Sequence, residues 1–216
     1  VNPFDVRKIL FKMDRALESF WYSKSAIDVA HNDYNAVIFA AAGNGDGGEL
    51  YGPLYPASYD YMISVTALGT GDNWNHWANY HESVDLASPG ENIRSTIVGN
   101  YASWTGTSMA TPVAASCAGL LQSYYPDWTH EQLEIMIVAT ADPVLYEINS
   151  EPYLSGKLGK GRVDILQAIS VGLYPKLEIA GYDLYPENDT NGELNPGEEG
   201  HLWLVLYNNE AWGDAT

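Results

Sequence analysis

The sequence predicts an α/β domain, a parallel sheet layered between helices, followed by the opening of a second module made of β-strands. Three observations predict it. The run at 36–42 is short and continuously apolar, as a strand covered on both faces is, and further short strands are expected at 62–67 and 84–86. Segments of helical period flank them, the alternation expected of helices laid on both sides of a parallel sheet. After Gly172 the pattern changes to period two, which belongs to strands with one covered face.

The elements follow in order. A helix is expected over 16–31, overlapping an amphipathic stretch over 22–34. The run Ala36-Val37-Ile38-Phe39-Ala40-Ala41-Ala42 is a buried strand, ended by the turn-forming Gly43-Asn44-Gly45-Asp46. Strands at 62–67 and 84–86 come next, the second closed by Ser88-Pro89-Gly90. A helix over 108–124 is rich in small residues, so it can approach a sheet closely. Another over 131–139 opens with Thr129 and Gln132 at capping-box spacing. A last helix runs through Ile169, and the boundary is expected at 172, leaving 1–172 and 173–216. In the second part Leu177 and Ile179, then Leu202, Leu204 and Leu206, alternate, giving about two strands, too few for an independent fold.

Composition excludes several function classes. The chain has 28 acidic and 10 basic residues and a formal net charge of −18, which argues against nucleic acid or an anionic membrane as partner. No apolar stretch approaches the roughly 20 residues that span a bilayer as a helix. The single cysteine, Cys117, has no internal disulfide partner and is expected as a small core residue among Ala114, Ala115, Ala118 and Gly119. Oligomeric state stays open.

The run Gly106-Thr107-Ser108-Met109-Ala110-Thr111-Pro112 stands at the head of the helix over 108–124. Threonine and serine are ordinary helix caps and proline is common in a first turn, so a Gly-Thr-Ser step alone carries little. A serine at a helix N-terminus also meets amides with no intrahelical partner and a dipole that favours developing negative charge. Upstream, Asn44-Gly45 reads as a tight turn or as an amide aimed into a site.

Taken together and in order, these motifs resemble the subtilisin-like serine proteases, the subtilase family. Tyr55-Pro56-Ala57-Ser58-Tyr59, Val84-Asp85-Leu86-Ala87-Ser88-Pro89-Gly90 and Leu158-Gly159-Lys160-Gly161-Arg162-Val163-Asp164 extend the resemblance over roughly residues 21 to 171. It implies a three-layer subtilisin-like sheet domain and a serine endopeptidase acting on protein or peptide substrates. Ser108 would be the nucleophile and Asn44 the oxyanion donor, with Thr107 behind the asparagine and Ala41, Ala42 and Gly43 along one wall of the substrate pocket. It also implies a secreted or cell-surface location and no cofactor for catalysis. Val113 stands where the family often has histidine after the motif proline, a change expected to concern helix packing alone.

The resemblance is incomplete. The family's Asp-Thr/Ser-Gly and His-Gly-Thr-His motifs, which carry the other two members of its catalytic triad, occur nowhere in the chain. His31, His76, His81, His130 and His201 all sit in contexts that predict solvated or structural roles. The chain starts at Val1 without a signal sequence and is expected to be the later part of a longer protein, inactive by itself. The competing reading is a non-catalytic relative that binds peptide or carbohydrate. In the second part, the segment 187–199 resembles the opening hairpin of β-sandwich modules appended to secreted bacterial proteases. Its Asp189, Asn191, Glu193 and Glu198 offer hard oxygen ligands for a structural calcium, though without the full EF-hand spacing.

Overall fold

A computed structural model of the chain describes residues 8–10, 20–45, 52–175, 177–186, 200–208 and 212. The chain divides into two units, Val1–Ser170 and Val171–Thr216.

The first unit is built on four parallel strands in chain order, β1 (Lys8–Leu10), β2 (Val37–Ala41), β3 (Met62–Leu68) and β4 (Leu86–Pro89). Registers such as Ile38 with Met62 and Val65 with Leu86 hold them together. All seven residues of β3 are buried, Ser64 and Thr66 among them, as in a strand covered on both faces. Helix α1 (Phe20–Asn32) lies on one face. Its Ile27 and Ala30 form a buried cluster with Ile38, Ala40 and Met62. Side chains alternate along a strand, so Ala67 points to the opposite face from Met62. There α2 (Thr107–Tyr124) crosses β2, β3 and β4, giving three layers.

Helix α2 explains its own composition. Its buried residues Thr107, Ala110, Thr111, Ala114, Ala118 and Leu121 recur at helical spacing and form one stripe. Alanines let the helix backbone come close to the sheet, and only Leu121 adds bulk. Pro112 sits inside the helix, which begins at Thr107, one residue before the expected start. With no N–H, Pro112 leaves the Ser108 carbonyl without its usual partner four residues on.

Helix α3 (His130–Ala139) carries the expected capping box in full: the Gln132 amide donates to Thr129 Oγ1, and the Thr129 amide donates to Gln132 Oε1. Helices α4 (Leu145–Ile148) and α5 (Ile165–Val171) follow. Between them the segment around Gly161 runs beside β4, Ala87 N–H donating to Gly161 O and Val163 N–H to Ala87 O. Arg162 fixes that segment by pairing with Asp72 and with Asp142, the latter at 3.1 Å. This covers the outer edge of the sheet, which would otherwise present unpaired backbone groups.

Three expectations are corrected. The strand expected at 84–86 runs Leu86–Pro89, because Val84 N–H closes a turn on His81 O before pairing begins. An antiparallel hairpin, β5 (Ile93–Ile97) and β6 (Asn100–Trp104), stands between β4 and α2 where no element was expected. Cys117 is half-buried on the open side of α2 and not in the core.

In the second unit β7 (Leu177–Pro186) and β8 (Gly200–Asn208) form an antiparallel ribbon with a register shift between Ile179 and Gly181. Leu202, Leu204 and Leu206 are exposed on it. The calcium candidates Asp189, Asn191, Glu193 and Glu198 lie outside the described residues.

Candidate active site

Two chain ends meet above the C-terminal edge of the sheet: the end of β2 and the turn that opens α2. After Ala41 and the buried Ala42 the chain bends at Gly43, whose φ of +103° is a conformation that residues with a Cβ avoid. The bend carries Asn44 out of the sheet to face the start of α2. There Gly106 N–H donates to Gly90 O at 2.9 Å, so the turn before the helix is tied to the end of β4.

Thr107 joins the two ends. It is buried, and both its backbone N–H and its Oγ1 donate to Asn44 Oδ1, at 3.0 and 2.9 Å. Two donors on the oxygen settle the orientation of the amide and leave Nδ2, with its two hydrogens, directed elsewhere. No described group accepts from Asn44 Nδ2.

The first turn of α2 leaves one backbone donor over. Thr107 N–H is used on Asn44, and the amides of Met109 and Ala110 both donate to Gly106 O, at 2.9 and 3.2 Å. The amide of Ser108 has no partner among the described residues. A Cβ built on Gly106 would lie 3.4 Å from Asn44 Nδ2 and 3.7 Å from Ser108 N. One small volume beside Ser108 is therefore reached by two unengaged N–H donors, and glycine at 106 keeps it empty. A helix N-terminus adds its dipole to the same spot.

A cavity of about 540 Å³ runs from Ser108 and Met109 along α2 past Pro112 and Cys117, with Arg94 and Trp104 of the hairpin on its other side. Burial pushes the Cys117 thiol upward, so it stays protonated rather than competing as a nucleophile. Ser108 Oγ has no hydrogen-bond partner among the described residues. Histidines of the first unit have partners of their own: His31 is buried against Glu134 at 3.1 Å and stacked on Tyr61, and His81 Nδ1 accepts from Ser83 N–H. His76 and His130 rest on Trp74 and His31 respectively, and His201 lies in β8 of the second unit. Among the described residues no group of three or more His, Cys, Asp or Glu is placed to hold a metal ion.

A family model described as the subtilase family matches residues 13–167 of the chain. The chain belongs to the subtilase family. Its curated relatives include a cell wall-associated protease of Bacillus subtilis (strain 168), 34% identical over a 155-residue match that covers 63% of this chain and 17% of that protein. Subtilisin NAT of Bacillus subtilis subsp. natto is 35% identical over 147 residues, 67% of this chain and 36% of that one. The halolysin-like extracellular serine protease Nep of Natrialba magadii is 35% identical over 135 residues, 62% and 23% of the two chains. This subtilase chain thus spans between 17% and 36% of the length of these three relatives. Among solved structures, a protease of Pseudoalteromonas arctica PAMC 21717 shares the fold with a TM-score of 0.63 at 21% identity, over 76% of this chain and 50% of that one.

The structure brings Asn44, Thr107 and Ser108 together at one point, with Gly43 at the bend and Ala41 and Ala42 on the strand behind. Sequence reasoning missed the β5–β6 hairpin that walls the cavity. The signal was present: Ile93, Ser95 and Ile97 alternate with Arg94 and Thr96, and Val98-Gly99 makes the two-residue turn.

Proposed function

We propose that this subtilase chain is the part of a serine endopeptidase that carries the nucleophile and the oxyanion donors. Ser108 Oγ attacks the carbonyl carbon of a peptide bond, and its proton passes to an imidazole. The carbonyl oxygen takes up negative charge in the volume over Gly106, where Asn44 Nδ2 and the Ser108 amide donate to it. The amine leaves with the proton, and water then attacks the acyl group on Ser108 and frees the acid. Ala41, Ala42 and Gly43 flank the substrate side chain next to the scissile bond. Because Ser108 Oγ has no hydrogen-bond partner among the described residues, the imidazole and its carboxylate come from a part of the natural protein outside these residues, and the 216-residue chain alone is inactive. The substrate is protein or peptide, met outside the cell.

The observation that carries this reading is the convergence of two unengaged donors on one point beside Ser108. A pure binding protein has no use for that arrangement, although the unpartnered Ser108 Oγ is what such a protein would also have. Treating the natural protein with a fluorophosphonate and mapping the adduct by mass spectrometry separates the two. An adduct on Ser108 is expected, since phosphonylation requires an activated serine. An intact protein without adduct leaves the non-catalytic, ligand-binding reading in its place.

A further inference from the structure

Asn79 is 2% exposed and uses every hydrogen-bonding group it has. Its backbone N–H donates to Gly43 O at 2.9 Å, and its carbonyl accepts from Thr66 Oγ1 on β3. Its side-chain Nδ2 donates twice, to Ala42 O at 2.7 Å and to Gly52 O at 2.8 Å, while Oδ1 accepts from Gly52 N–H at 3.2 Å. Two residues earlier, Trp77 O accepts from Gly45 N–H at 2.7 Å, so Asn44 stands opposite Ala78 in a short antiparallel pairing. The chain on both sides of Asn44 is thereby held by the segment 77–79, and that segment is anchored to the sheet through Thr66.

Asn44 itself is exposed, and Thr107 fixes only its side-chain oxygen. What places the Asn44 backbone is the pairing with 77–79, and what holds the Ala42–Gly43 peptide against the far loop at Gly52 is the Asn79 amide. No shorter side chain reaches both carbonyls, and aspartate lacks the two hydrogens. We infer that Asn79 is a positioning residue for the oxyanion site: by clamping Ala42, Gly43 and Gly52 it places the backbone from which the Asn44 amide, oriented by Thr107, reaches the site. The inference rests on the serine endopeptidase reading above.

The consequence is kinetic and specific. An oxyanion donor acts in the transition state, so displacing it lowers kcat and leaves KM in place. The test uses the natural protein with Asn79→Ala, Asn44→Ala, both together, and Ser108→Ala, with kcat counted per active site titrated by the fluorophosphonate in the variants that keep Ser108 and per mole of folded protein in Ser108→Ala. Asn79→Ala is expected to lower kcat about 10- to 100-fold, the scale of an ångström-level misplacement. In the Asn44→Ala background the same change is expected to cost less than about twofold, since residues acting through one another are non-additive. Equal losses in both backgrounds, or an unchanged kcat in Asn79→Ala, overturn the assignment. Activity retained by Ser108→Ala overturns the endopeptidase reading instead. If Asn79→Ala does not fold, Thr66→Val, which removes only the anchor on the Asn79 carbonyl, is read the same way: a loss of kcat that vanishes without Asn44 supports the assignment, and a loss that persists overturns it.

Discussion

Gly106 does its work by what it lacks. A methyl group there would stand 3.4 Å from Asn44 Nδ2 and 3.7 Å from Ser108 N, in the space proposed for the oxyanion. Gly106→Ala in the natural protein is expected to lower kcat by about 100-fold or more, the order seen when an oxyanion donor is removed. An unchanged kcat would show that charge develops elsewhere. Met109 is a second case, because its Sδ lies 3.6 Å from that same Cβ position. Oxidation to the sulfoxide puts a polar oxygen beside the reacting centre, so peroxide-treated enzyme is expected to lose turnover in step with Met109 oxidation followed by mass spectrometry. At this scale much was legible. Ser108 and Asn44 stood out in the sequence because a helix start and a strand end each need glycine beside them. Asn79 did not, since nothing in Trp77-Ala78-Asn79-Tyr80 signals that one amide meets two loops far away in sequence.

Among the elements, α3 is the most explicit. Its capping box satisfies backbone donors at both residues, and Thr129→Ala is expected to cost about 1 kcal/mol of unfolding free energy, measured by denaturant titration. A cost near zero would mean water replaces the cap. The β3–β4 junction predicts a pH effect. Burial pushes the Asp85 carboxyl above its ordinary 3.8, with the Ser64 N–H and the Lys160 charge pulling it back less. A raised folded-state value means that the native state holds the proton more tightly. The associated stability is therefore present below the ordinary value and lost as pH rises through the folded one. Asp85→Asn still accepts from Ser64 N–H, so it is expected to be more stable than the parent at pH 7, with the gap closing below about pH 4. A gap independent of pH contradicts this. The helices and buried strands could be read because their apolar spacing is local. The signal of the β5–β6 hairpin, the Val98-Gly99 turn and the alternation before it, is weak, because Ser95, Ser103 and Asn100 dilute its pattern and most of its residues are exposed.

For the whole molecule, the three-layer parallel sheet of the first unit followed from the alternation of helix and strand and from the continuously apolar run of β2. The open side of α2 followed from nothing local: Leu120 is 54% and Tyr124 61% exposed on a helix whose sequence reads as buried all round. Small residues on every side, as at Ala115 and Gly119, hide which face meets the sheet. The central claim joins that architecture to chemistry: the ends of β2 and α2 bring an amide and a backbone N–H to one point beside a serine. The measurement that tests it most directly is a structure of the natural protein with a peptide aldehyde bound. A bond is expected from Ser108 Oγ to the aldehyde carbon, with the resulting oxygen about 2.7–3.1 Å from both Asn44 Nδ2 and Ser108 N. An aldehyde bound without that bond, or an oxygen directed away from Asn44, would contradict it.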